Sequence, residues 1–171
     1  MKAQMEIIQA QAEDAQTLTS IALAAKRYWG YPENWMVHWQ QLLTISAEYI
    51  QHHKAFKALK NDQIIGFYIL TSTPEQLDLQ HMWVHPDEIG HGVGRALMEH
   101  AIRQAAHSEL EIMEIEADPN AEGFYLKMGA RHVGARIYKL EGQQRTLPLL
   151  QLHIPAALEN LENPDPSARP D

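Results

Sequence analysis

The chain has 171 residues, 45% of them apolar, a formal net charge of −8 and no cysteine. That length suits a single hydrophobic core, and the absence of thiols excludes disulfides, thiolate zinc sites and cysteine nucleophiles. The acidic balance argues against a nucleic-acid partner, which calls for a basic face, and no apolar run nears the roughly 18 residues of a membrane span.

In chain order, Met5–Ala10 reads as a first strand. Asp14 stands where a helix N-cap belongs, and Leu18, Ile21, Ala22 and Ala25 share one face of a helix over Ala15–Tyr28. Gly30-Tyr31-Pro32 breaks it, and Pro32 suits the first turn of a second helix running to about Leu43. Ser46 caps a short helix over Ala47–His52. Lys54–Lys60, Gln63–Ser72 and Leu77–Val84 read as strands of an antiparallel meander, joined by turns at Asn61-Asp62 and Thr73-Pro74-Glu75. A helix after the next loop carries Val93, Leu97, Ala101 and Ala105 on one stripe, with Met98 and Ile102 beside it. Glu109–Ala117 reads as a strand, Ala121–Met128 as a helix, and His132–Leu140 with Thr146–Ile154 as a hairpin around Glu141-Gly142-Gln143. From Pro155 the composition turns polar and Pro-rich, the mark of a frayed tail over 156–171 after one domain over 1–155.

The segment LDLQHMWVHPDEIGHGVGR, from Leu77 to Arg95, carries the strongest chemical signal. A strand ends at His85-Pro86, and Gly90, Gly92 and Gly94 then lead into a helix. Glycines let the backbone come close to an anion, and the first helical turn adds unpaired N–H donors and the positive end of the dipole. This is a device for holding a pyrophosphate. The G-x-G-x-G spacing differs from the dinucleotide G-x-G-x-x-G, and Gly94-Arg95-Ala96 lacks the lysine and hydroxyl of a P-loop.

About 25 residues on comes DPNAEGFYLKMGA, from Asp118 to Ala130. Together the two segments resemble the GNAT superfamily of acyl-CoA-dependent N-acetyltransferases. In that family a strand ending V-x-P leads into Q/R-x-x-G-x-G/A, and N-x-x-A-x-x-F-Y-x-K-x-G-F follows later. Val84-His85-Pro86, Gly92-Val93-Gly94, Asn120, Phe124-Tyr125, Lys127 and Gly129 take the corresponding places. One departure is Ile89, where the family has Gln or Arg; another is that Ala121 follows Asn120 directly.

The resemblance implies an α/β fold: a mixed, mostly antiparallel central sheet flanked by helices, with a βαβ acetyl-CoA-binding core. It implies acetyl-CoA as co-substrate, bound by Met82, Trp83, Val84, Ile89, Gly90, His91, Gly92, Val93, Gly94 and Arg95, with Asn120, Tyr125 and Lys127 completing the set. Tyr125 matches the family's general acid, and a phenol with an ordinary pKa of about 10 can protonate a thiolate of about 8.5. The base is expected on the strand before the glycine loop, with His81 first, for its ordinary pKa near 6.5, and Asp78 second. His85 shares strand parity with His81, but no third ligand at a recognisable spacing makes a metal site, so none is expected. Five aromatics from Tyr28 to Trp39 read as an acceptor wall in which Trp29 and Tyr31 stack on an amine and Glu33 pairs with its charge.

Two functions are compatible with this: an N-acetyltransferase acting on an amine of a small molecule or peptide, or a non-catalytic acyl-CoA sensor. Tyr125 favours the enzyme. The opening MKAQMEIIQAQAED lacks the basic and apolar regions of a signal peptide, so a cytoplasmic location is expected. Homodimerisation is left open.

Overall fold

In the computed structural model, residues 4–167 are described; the outer ends of the expected domain and tail, residues 1–3 and 168–171, lie outside them. Strands β1 (Glu6–Gln9), β2 (Lys54–Lys60), β3 (Gln63–Ser72), β4 (Leu77–Val84), β5 (Ile112–Glu116), β6 (Arg131–Leu140) and β7 (Gln143–His153) form one sheet. Their spatial order is β1-β2-β3-β4-β5-β7-β6. Every neighbouring pair is antiparallel except β4 and β5. The α/β class and the mostly antiparallel sheet are as the resemblance implied.

Helices α1 (Ala15–Tyr28), α2 (Glu33–Leu42) and α3 (Ala47–His52) precede the meander; α4 (Val93–Ala105), α5 (Glu122–Lys127) and α6 (Ile154–Glu162) come after it. The expected faces are the buried ones. Leu18, Ile21, Ala22 and Ala25 of α1 are buried, the first three packing with Phe67 and Ile69 on one side of the sheet. Val93, Leu97, Met98, Ala101, Ile102 and Ala105 of α4 pack on the other side with Tyr68, Leu79 and Leu150. Two cores therefore sandwich one sheet.

Short turns set the register. Asn61 and Asp62 both have positive φ, 51° and 61°, which suits a two-residue turn whose twist matches its strands. Glu141 and Gly142 do the same, so β7 begins at Gln143 and not at Thr146. Ser46 caps α3 as expected, accepting from the Tyr49 N–H at 3.0 Å. Asp14 does not cap α1; it accepts from the Gln11 N–H at 2.7 Å and pairs with Lys57 at 2.7 Å. β5 is shorter than expected, because the chain before Ile112 turns at Ser108, whose hydroxyl accepts from the Leu110 N–H.

The frayed tail expected from Pro155 starts too early. Pro155 sits in the first turn of α6, where its missing N–H costs nothing. The His153 ring caps the helix by accepting from the Ala156 N–H at 3.2 Å. Ile154, Ala157, Leu158 and Leu161 make a helical stripe against the same core as α4. Burial of that stripe, and not the polar tail composition, decides the local structure.

Two features of β4 shape the functional region. Its register against β3 shifts: Ile69 faces His81 while Leu70 faces Leu79, leaving Gln80 as an extra residue. Such a bulge flips the alternation of side chains along a strand. Leu77 and Leu79 face α4, as do Met82 and Val84, while His81 and Trp83 turn toward α1 and α3. The second feature is that β4 and β5 pair only at Leu77–Met113 and Asp78–Glu114. Beyond that they splay, and an open cleft lies between the arms.

Candidate active site

The cleft encloses about 660 Å³. Its β4 arm carries Leu79, Gln80, Met82, Trp83 and Val84 and ends in the glycine loop; its β5 arm carries Ile115, Glu116 and Ala117 and ends at Asp118 and Asn120. Ala25 and Trp29 of the α1 end close one side, and Phe124 and Tyr125 of α5 close the other. A second hollow of about 450 Å³ lies beside the β2–β3 turn, but Asp62 and Asp87 in its wall, absent from the cleft, would repel a pyrophosphate.

The loop is built for backbone donors. Gly90 and Gly92 have φ of 81° and 82°, a region costly for residues with a Cβ. Gly92 is the N-cap of α4, and the first helical bond runs from the Ala96 N–H to its carbonyl. The amides of Val93, Gly94 and Arg95 thus start the helix without an acceptor from the preceding turn. Gly94 opens onto the cleft, where an added Cβ would stand 3.5 Å from the Phe124 ring.

Of the expected cofactor set, the structure brings Met82, Trp83, Val84, Ile89, Gly90, Gly92, Gly94, Arg95, Asn120 and Tyr125 to the cleft. Val93 buries its side chain in the core and offers only its amide. His91 and Lys127 lie outside the lining. Arg95 is tied along its own helix to Glu99 at 2.9 Å.

Tyr125 is nearly buried, 7% exposed, in the α5 wall. Burial and then the negative charge of Asp118 push its phenol above the ordinary value, so it holds its proton throughout the neutral range.

The expected bases are not in the cleft. The bulge turns His81 into the α1–α3 layer, where the Trp83 indole donates to its Nδ1 at 3.2 Å and Tyr49 and Phe67 flank it. It is 9% exposed, and burial pulls its pKa down to about 4. Asp78 lies on that same side, where burial first and its own charge second raise the Tyr49 phenol, and accepts from the Gln76 amide at 2.8 Å. Glu116 on the β5 arm is a carboxylate that does line the cleft; it accepts from the Tyr138 hydroxyl at 2.6 Å and lies 3.4 Å from Arg136.

The acceptor wall also differs from expectation. Tyr31 does not offer a free ring face: Lys26 sits 4.9 Å and Arg145 4.6 Å from its centroid. Trp39 holds the same two cations at 4.2 and 4.7 Å. Glu33 pairs with Arg27 at the surface, away from the cleft. Trp29 alone of the three expected residues reaches the lining, 40% exposed and edge-on to Tyr28.

At the centre of this cluster is Asp118. It pairs with Lys26 at 2.6 Å and Arg145 at 3.2 Å, and accepts from the Tyr31 hydroxyl at 2.9 Å and from the Asn120 amide N–H at 2.9 Å. Burial alone would raise its carboxyl; the charge and hydrogen bond of Lys26 outweigh that, with the Asn120 and Tyr31 bonds, and hold it below the ordinary range. A signal for it existed: counted back from Ala121, Phe124 and Tyr125, the N-x-x-A-x-x-F-Y spacing puts Asp118, not Asn120, at the Asn position. Asn120 braces the turn, donating to Tyr31 and Asp118. Lys26 and Arg145 carried no sequence signal, being 92 and 27 residues away from Asp118.

Among the described residues, no group of three or more His, Asp or Glu side chains is arranged to hold a metal ion, and no helix is long and apolar enough to cross a membrane.

Known proteins share the fold and part of the sequence. Residues 51–129 match the family model of the acetyltransferase (GNAT) domain. A peptidyl-lysine N-acetyltransferase, YjaB, of Salmonella typhimurium is 33% identical over 94 residues, 55% of this chain and 59% of that protein. The chain thus spans under two thirds of that curated relative. The fold superposes on a GCN5-related N-acetyltransferase from Rhodopseudomonas palustris with a TM-score of 0.72, 19% identity, and coverage of 90% of this chain and 96% of the other. For PaiA N-acetyltransferase from Thermoplasma acidophilum, crystallised with coenzyme A, the TM-score is 0.69 at 18% identity, covering 88% and 99%.

Proposed function

We infer that this chain, whose residues 51–129 belong to the GNAT acetyltransferase family, moves an acetyl group from acetyl-CoA directly to a primary amine of a small molecule or peptide. The observation that carries the reading is the position of the Tyr125 phenol in the same cleft as the amide cradle of Gly90–Arg95. The cradle suits a pyrophosphate, the apolar slot between the splayed arms suits the pantetheine attached to it, and a protonated phenol stands at the wall. A module that only sensed acyl-CoA would need the first two and not the third.

In the reaction, the neutral amine nitrogen attacks the thioester carbonyl carbon; the new N–C bond forms and the C–S bond breaks. Tyr125 gives its proton to the departing sulfur and regains one from solvent. The amine's proton goes to a carboxylate of the cleft. All three carboxylates of the cleft are paired, Glu88 with Lys60, Asp118 with two cations and Glu116 with Arg136; Glu116, on the β5 arm and the most exposed of the three, is read in that role. His81, dry and reluctant to take a proton, is better read as packing.

A cytoplasmic setting and acetyl-CoA as co-substrate belong to this reading. The name of the Salmonella relative puts peptidyl-lysine side chains among the acceptors to test. Acetyl-CoA should raise the thermal midpoint by mass action, more than NADH or ATP does. No shift with millimolar acetyl-CoA or CoA would end the reading, as would the absence of amine-dependent thiol release across a broad acceptor panel.

A further inference from the structure

Most polar side chains that line the cleft are bonded within the protein. Glu88 is held by Lys60, Arg95 by Glu99, and Asp118 by Lys26 and Arg145. Asn120 donates to Tyr31 and Asp118, the Trp83 indole donates to His81, and Glu116 is held by Tyr138 and Arg136. Among the described residues, the exceptions are the Tyr125 hydroxyl, the Trp29 indole N–H and the side-chain amide of Gln80. Tyr125 already has a part in the reaction. Gln80, an exposed residue whose side chain lines the cleft, has none.

Its position gives it one. Asp78 and Glu114 form the last rung at which β4 and β5 pair. Gln80 and Glu116 each stand two residues beyond that rung, one on either arm, where the strands begin to splay. Leu79 and Ile115, between them and the rung, bury their side chains in the α4 core. Alternation therefore turns Gln80 and Glu116 to the opposite face of the sheet, the face of α1. Trp29, just past the end of α1, lines the cleft as well. As the extra residue of the bulge, Gln80 also has no cross-strand neighbour on β3 to hold it.

We propose that Gln80 is a second binding point for the acceptor nitrogen: its side-chain carbonyl oxygen accepts one N–H of the neutral primary amine while Glu116 accepts the other. The nitrogen lone pair is then left for the thioester carbon. This rests on the acetyl-transfer reading and assigns that reaction a residue that selects primary amines. As the N–C bond forms and the C–S bond breaks, the proton on Glu116's side leaves the nitrogen. The proton on Gln80's side stays as the N–H of the product amide, and the sulfur departs with the proton of Tyr125. A neutral amide suits the task, because it accepts a hydrogen bond without holding the amine in its ammonium form. A secondary amine, once neutral, has one N–H and satisfies only one of the two points.

The test uses the whole chain, a primary amine that is turned over, and its N-methyl counterpart, each followed by thiol release. The wild type should favour the primary amine by about 10-fold or more in kcat/KM. Gln80→Met keeps the length of the side chain but not its amide. It should lower kcat/KM for the primary amine by about 10-fold and leave the N-methyl amine nearly unchanged, so that the ratio falls by the same factor. Gln80→Glu, which keeps an acceptor at that point, should preserve the ratio. Calorimetry should show acetyl-CoA bound as tightly to both variants as to the wild type. Unchanged kinetics in Gln80→Met, an equal loss on both amines, or weakened acetyl-CoA binding overturns the proposal. If Gln80→Met does not fold, the wild-type ratio and Gln80→Glu decide, and a wild type that treats the two amines alike overturns it. Failure of acetyl-CoA to bind the wild type would instead sink the acetyl-transfer reading.

Discussion

Replacing His81 by glutamine gives the sharpest check on how the bulge in β4 disposes its side chains. Glutamine keeps an acceptor for the Trp83 indole but cannot titrate. In the unfolded chain the imidazole has its ordinary pKa of about 6.5, whereas in the folded protein burial lowers it to about 4. Between those values the unfolded state binds a proton that the folded state refuses, so stability falls as pH drops through 6.5 and levels off below 4. The separation corresponds to roughly 3 kcal/mol, present in full above pH 6.5. Urea unfolding followed by tryptophan fluorescence from pH 7.5 to 4.5 measures it. Nine other histidines and the carboxylates also contribute to the slope, so the quantity that counts is wild type minus His81→Gln. That difference should shrink steadily on acidification. A constant difference would mean that His81 titrates in the folded state as it does in water, and the buried placement would be wrong. Acetyl transfer at pH 7.5 should survive the substitution within a few-fold; a loss of 10²-fold or more would return His81 to the role of base.

Three further outcomes bear on the site. Gly92→Val forces a β-branched residue to φ near 82° at the N-cap of α4 and should weaken acetyl-CoA binding by at least 10-fold in calorimetry; unchanged affinity would make the loop a turn and nothing more. Tyr125→Phe keeps the ring in its wall and should lower kcat by about 10²-fold with little change in acetyl-CoA affinity; the reverse pattern would make the tyrosine a binding residue. Asp118→Asn leaves Lys26 and Arg145 buried without their counter-charge and should cost about 3–5 kcal/mol in urea unfolding, whereas a loss under 1 kcal/mol would show that the cluster is solvated.

What could be read from the sequence is what local pattern determines. The stripes of α1 and α4 are set by spacing within one helix, and the structure buries them as read. The glycine loop shows itself because positive φ and close approach both select glycine. The Gln80 bulge does not, since an extra residue in a strand depends on how its partner pairs; no residue type marks it. Strict alternation along β4 therefore says nothing of where His81 and Asp78 end up, and both miss the cleft. α6 was hidden for a different reason. Pro155 reads as a stop, although a proline in the first turn of a helix is favourable, and the stripe Ile154, Ala157, Leu158, Leu161 was present all along.

The acceptor wall shows most plainly how long-range pairing changes the meaning of a local pattern. Read alone, Tyr28 to Trp39 is a set of aromatic rings awaiting a cation, with Glu33 ready to pair with it. Folding brings Lys26 from the preceding helix and Arg145 from β7 onto those rings, and sends Glu33 to the surface with Arg27. Asp118, at the end of the β5 arm, then joins α1, the α1–α2 link and β7 at one point. The rings keep their place beside the cleft, but their electrostatic offer is reversed, since each cation that covers a ring also projects its own charge.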